Sequence, residues 1–93
     1  MERILTVAGT EQGLALLQQL LEEQGLFVSD SADNGASVRR LLEEQSYHLV
    51  VINAPLADEH GEAIARMAYR QNADVILLVK PAGLLGKYVQ EKV

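Results

Sequence analysis

His48-Leu49-Val50-Val51-Ile52-Asn53 is an almost unbroken apolar run near the middle of the chain, rich in β-branched residues and ending in a polar one. Continuous apolarity over so few residues marks a strand buried on both faces, as in a parallel sheet. Two other runs share the pattern, Arg3-Ile4-Leu5-Thr6-Val7-Ala8 before it and Asp74-Val75-Ile76-Leu77-Leu78-Val79 after it. Leu26-Phe27-Val28 is a weaker run, short enough for an edge strand.

Helical patterns fill the gaps. From Glu11 to Gln24 the leucines fall at 14, 16, 17, 20 and 21, near one helical stripe. Thr10 is placed to cap that helix, Glu11 suits the positive end of its dipole, and Gly25 suits a left-handed stop. A second helix is expected from about Asn34, with Val38, Leu41 and Leu42 inward and Arg39–Glu43 and Arg40–Glu44 paired outside. A third is expected over Asp58 to Arg70, and a short last one after Pro81 through Leu84, Leu85, Tyr88 and Val89. The resulting order, β-α-β-α-β-α-β-α, predicts an α/β sandwich: a parallel sheet with helices on both faces and right-handed crossovers.

Composition narrows the function. Ninety-three residues make one domain, and aromatics at 4% with no Trp require an aliphatic core. The absence of Cys excludes thiol catalysis, disulfides and Cys-type zinc sites. A net charge of −5 argues against nucleic acid or an anionic membrane as the partner. Met1-Glu2-Arg3 leads into no signal-peptide pattern, and no apolar run approaches the ~18 residues of a membrane span. A cytoplasmic domain is the expectation.

On these residues the chain resembles a response-regulator receiver domain, which has the flavodoxin-like architecture. Arg3-Ile4-Leu5-Thr6-Val7 is similar to the opening receiver strand. Ala32-Asp33-Asn34-Gly35, leading to Val38 and Leu41-Leu42, is similar to the start of the second receiver helix. Tyr47-His48-Leu49-Val50-Val51-Ile52-Asn53 is followed by Gly61, eight residues after Asn53, as a glycine follows the phosphorylated aspartate in receivers. Residues Val51 to Glu59 and Val75 to Lys80 are similar to the degenerate receivers that precede ANTAR output domains, which bind RNA in transcription antitermination. No such output domain is contained in these residues, so antitermination is an expectation for a longer parent protein.

The resemblance also implies a chemistry, and this sequence departs from it. A receiver accepts a phosphoryl group on a carboxylate, with Mg²⁺ held by an acidic pair after the first strand. The acidic pair maps onto Ala8 and Gly9, which offer no side-chain oxygen, and the acceptor onto Asn53, a neutral amide. The Thr/Ser position maps onto Val79, which lacks the hydroxyl. Val79-Lys80-Pro81 imitates the Lys-Pro that ends the fifth receiver strand. Spacing decides against that match, because the strand from Asp74 follows Asn53 after one helix and is therefore the fourth. These losses predict a pseudo-receiver without phosphoryl transfer, without a metal or cofactor, and without enzymatic activity.

The other polar groupings have ordinary structural explanations. Gly9 and Gly13 form G-x-x-x-G rather than the dinucleotide fingerprint, and Glu11 would repel a phosphate. Asp58, Glu59, His60 and Glu62 fit a solvated helix entrance better than a metal site. His48 fits a strand edge, and Ser29, Ser31, Ser37 and Ser46 lack a nucleophile elbow.

The expected architecture is thus a flavodoxin-like three-layer sandwich over residues 1–93, with four strands in the order 2-1-3-4 and the fifth βα unit missing. The strand Asp74–Val79 would lie at an unprotected edge, inviting homodimer formation there and through neighbouring helices. The expected function is a phosphorylation-independent signalling module acting through protein contacts. The alternative is a small ligand-binding domain using the crevice at Ala8, Gly9, Thr10, Asn53 and Ala54, beyond the ends of strands 1 and 3.

Overall fold

The structure, a computed structural model, describes residues 3–54, 56, 58, 61–79 and 89–91. In chain order these form β1 (Ile4–Ala8), α1 (Glu11–Glu23), β2 (Asp30–Ala32), α2 (Gly35–Glu44), β3 (Leu49–Ala54), α3 (Gly61–Arg70), β4 (Asp74–Val79) and β5 (Val89–Glu91). The sheet runs β2-β1-β3-β4-β5. Its first four strands are parallel in the flavodoxin-like order 2-1-3-4.

β3 is central. Its Leu49–Asn53 pairs with Ile4–Ala8, and on the other side Leu49–Ala54 pairs with Asp74–Val79. Side chains alternate between two layers, which is why the run is apolar throughout. Leu5, Val7, Val50, Ile52 and Leu77 pack under α2 and α3 with Val38, Leu42, Ile64, Ala65 and Ala68. Ala8 and Val51 pack under α1 with Leu17, joined by the partly buried Leu14, Leu21, Leu49 and Leu78.

Local signals place the helix ends. Thr10 Oγ1 accepts from the Gly13 amide at 3.0 Å, and Asn34 Oδ1 accepts from the Ser37 amide at 2.8 Å. α1 stops at Gly25, whose φ of +78° lies in the left-handed region that glycine tolerates. The five leucines of α1 divide: Leu14, Leu17 and Leu21 meet the sheet, whereas Leu16 and Leu20 are each 46% exposed.

Several expectations are corrected. The second strand is Asp30–Ala32 rather than Leu26–Val28, with Phe27 75% exposed. Pairing begins at Ser29, whose amide donates to the Ile4 carbonyl at 2.9 Å and whose Oγ accepts from the Ile4 amide at 3.2 Å. Backbone bonding decides at this edge, because one neighbour and one wet face demand little apolarity. α3 starts at Gly61 instead of Asp58.

The C-terminal end differs most. Val89, expected in a helix, lies in β5, while the rest of that expected helix, 81–88, falls outside the described residues. β5 is antiparallel to β4, with Leu77 opposite Glu91, Leu78 opposite Gln90 and Val79 opposite Val89. The edge of β4 expected to be unprotected is therefore paired along Leu77–Val79, since a neighbouring strand satisfies backbone groups that would otherwise face outward.

Burial separates the residues that should matter from those that should not. Ile64 is fully buried, so Ile64→Ala should cost about 2–5 kcal/mol in denaturant unfolding. Phe27→Ser, at an exposed position, should stay within about 0.5 kcal/mol of the parent.

Candidate functional site

The carboxyl ends of β1 and β3 lie side by side, with Ala8 opposite Asn53. Asn53 in turn stands opposite Leu78, and Ala54 opposite Val79. The chain leaves Ala8 through Gly9 and Thr10 directly into α1. Ala8, Gly9, Thr10, Asn53 and Ala54 are thereby gathered at one end of the sheet, with Val79 beside them on the next strand.

α1 sits low on this crevice. A Cβ on Gly13 would stand 3.0 Å from Ala8 Cβ, 3.1 Å from Thr10 Oγ1 and 3.5 Å from Asn53 Nδ2. The glycine lets the first helical turn approach the strand ends, which accounts for the Gly9–Gly13 spacing without a phosphate. Asn53 Oδ1 is buried and, among the described residues, has no hydrogen-bond partner. Thr6 Oγ1, on the same side of the sheet, shares that condition. Such an orphaned neutral group ordinarily costs about 1–3 kcal/mol.

The residues do not fit a divalent cation. Mg²⁺ prefers carboxylate and other hard oxygen ligands in near-octahedral array. Ala8 and Gly9 have no side-chain oxygen, Thr10 Oγ1 already accepts from Gly13, and Asn53 offers one neutral carbonyl. Among the described residues no group of three or more His, Asp or Glu is gathered for a metal.

Asp58 does something that local sequence does not announce. Its carboxylate accepts from the Gly35 amide at 2.8 Å and from the Ala36 amide at 3.3 Å, at the start of α2 rather than of its own helix. The segment leaving Asn53 is thus clasped to α2. Those amides, Gly35 first, hold the Asp58 carboxyl below its ordinary range against a smaller opposing effect of desolvation. Glu62 lies in the first turn of α3, and Glu59 and His60 fall outside the described residues.

A second polar grouping occupies the opposite end of the sheet. His48 Nδ1 accepts from the Arg3 amide at 3.1 Å, the strand-edge role expected of it. Tyr47, buried, donates its hydroxyl to Asp30 Oδ2 at 2.7 Å, and Arg3 lies 3.8 Å from the same oxygen. Burial first, then Asp30, pushes the Tyr47 hydroxyl well above the usual tyrosine range. This grouping ties β1, β2 and the approach to β3 together. It does not reach the crevice.

No protein-family model matches the chain, and no curated protein matches it. Solved structures do. The response regulator TrrA from Thermotoga maritima, in complex with Mg²⁺–BeF, superposes with a TM-score of 0.76 at 27% identity, covering 88% of this chain and 72% of that one. A substituted MaeR response regulator bound to sulfate gives 0.75 at 27% identity, covering 88% and 70%. The fold is that of a response-regulator receiver domain. The receiver domain of NtrC4 from Aquifex aeolicus agrees at the level of the fold, with a TM-score of 0.70 at 21% identity over 90% of this chain and 70% of that one. Among the described residues, no helix of this receiver fold is long and apolar enough to cross a membrane.

The clasp has a pH signature. Because the folded carboxyl is held below its ordinary value, the stability it contributes is present above that ordinary value and is lost as pH falls through the folded one. In an NMR titration the Gly35 and Ala36 amide shifts should move with a midpoint below that of an aspartate in an unstructured peptide. A midpoint at or above the peptide's would contradict the clasp.

Proposed function

We propose that this chain is a phosphorylation-independent receiver-like module of a bacterial signalling protein, acting through protein contacts. The observation that carries the proposal is Asn53 at the end of β3, opposite Ala8 and beside Gly9, where none of these three residues offers a carboxylate to attack a phosphoryl group or hold a cation. TrrA is known in complex with Mg²⁺–BeF, and MaeR with sulfate. This chain's own crevice lacks the acidic groups on which phosphoryl transfer relies. The receiver is thereby reduced to a shaped surface that signals by what it touches. Cytoplasmic placement, and service in a longer ANTAR-type antitermination regulator, belong to the same proposal; the likeness of residues 51–59 and 75–80 supports the latter.

The decisive experiment restores one missing group at a time. Asn53→Asp alone should take no label from acetyl phosphate or phosphoramidate with Mg²⁺, because the acidic positions Ala8 and Gly9 remain empty of oxygen ligands. Stoichiometric acid-labile phosphate on that single variant would overturn the proposal.

A second copy is the first partner to test. Among the described residues β5 pairs with β4 along Leu77–Val79, Ile76 is 38% exposed, and Leu16 and Leu20 present apolar surface on α1. Light scattering should give a dimer mass that falls on dilution; a monomer across the whole range would exclude self-association as the mode of contact. The ligand-binding alternative draws support from the buried, unpartnered Asn53 Oδ1. Saturable thermal stabilisation by a nucleotide or small anion would favour it.

A further inference from the structure

Asn34 is followed by Gly35, a pairing with its own chemistry. A glycine amide nitrogen has no neighbouring Cβ to hinder it, and can attack the side-chain carboxamide carbon of the preceding asparagine. The new N–C bond closes a succinimide ring. The carboxamide C–N bond breaks, and ammonia leaves with the proton lost by the backbone amide. Water then opens the ring at either carbonyl, giving aspartate or isoaspartate. No oxidant or reductant takes part.

Both reacting groups are engaged here. Asn34 Oδ1 accepts from the Ser37 amide at 2.8 Å, and Nδ2 donates to Asp33 Oδ1 at 2.7 Å. The Asn34 backbone is extended, with φ −154° and ψ 163°. The Gly35 amide, the nucleophile once deprotonated, donates to Asp58 Oδ1 at 2.8 Å. A carboxylate at that distance opposes loss of the amide proton, and the capping bonds hold the carboxamide on Ser37 rather than over Gly35.

We propose that Asn34 is a spontaneous deamidation site held shut by Asp58. Opening the clasp frees the Gly35 amide, and the reaction then changes the same contact irreversibly. An aspartate at position 34 replaces the hydrogen bond to Asp33 with repulsion and sets a further acid near Asp58. An isoaspartate lengthens the main chain at the cap and pulls it out of register. Either product loosens the tie between α2 and the segment that leaves Asn53, at the crevice end of the sheet. This chemistry is independent of the signalling role proposed above.

The test is peptide mapping by mass spectrometry after incubation at mildly alkaline pH, following the unit mass gain and isoaspartate at position 34. The folded parent protein should react more slowly than the same protein unfolded in urea. Asp58→Ala should speed the folded reaction roughly three- to tenfold, the factor that loss of one net hydrogen bond ordinarily implies. Asp58→Asn keeps the shape without the charge, and should also react faster than the parent where Asp58→Ala melts. In urea, Gly35→Ala should slow the reaction whatever its effect on folding. A parent protein as fast folded as unfolded would overturn the proposal. So would Asp58 variants that react no faster than the parent, since a slower rate would make Asp58 the base that promotes the attack.

Discussion

β3 pairs along both edges, with β1 on one side and β4 on the other, and carries an apolar layer on each face. A parallel strand in that position has no wet side, so its partners must arrive by crossovers long enough to carry a helix. This constraint explains why α1, α2 and α3 exist and why two faces need cover. It also fixes where chemistry can occur. Side chains along the strand are consumed by packing, and only the residue at its carboxyl end, Asn53, reaches the edge of the core with polar atoms.

The central strands were legible because burial on two faces writes itself into every residue. Leu49 to Ile52 carry no polar side chain, and neither do Val75 to Leu78, although Ile76 is partly exposed. The edges were not legible, because an edge strand is defined by backbone bonds that leave little mark on side chains. Asp30-Ser31-Ala32 carries one buried residue, Ala32, while the more apolar Phe27 beside it is exposed. β5 poses the same difficulty: Val89-Gln90-Glu91 follows leucines whose spacing is equally compatible with a helix, and only pairing with Leu77–Val79 distinguishes the two.

The candidate site divides the same way. Ala8, Gly9, Asn53, Ala54 and Val79 come together through strand register, which the order of the strands implies once the sheet is parallel. Asp58 could not be assigned from its neighbours. Its ligands, Gly35 and Ala36, lie more than twenty residues away in sequence, and a carboxylate near a helix start is most simply referred to its own helix. Long-range hydrogen bonds of this kind have no local periodicity to betray them.

Neutrality at the crevice and the close seat of α1 are two sides of one arrangement. Carboxylates gathered at the ends of β1 and β3 would repel one another without a cation, and each would resist desolvation beneath a helix. Ala8, Gly9 and the Asn53 amide remove that repulsion, and Gly13 lets the first turn of α1 settle against them. Stability alone does not account for Asn53, however. An aliphatic residue there would bury without an orphaned oxygen, whereas Asn53 Oδ1 is enclosed with no partner among the described residues. The position therefore keeps the size and shape of an aspartate side chain while giving up its charge.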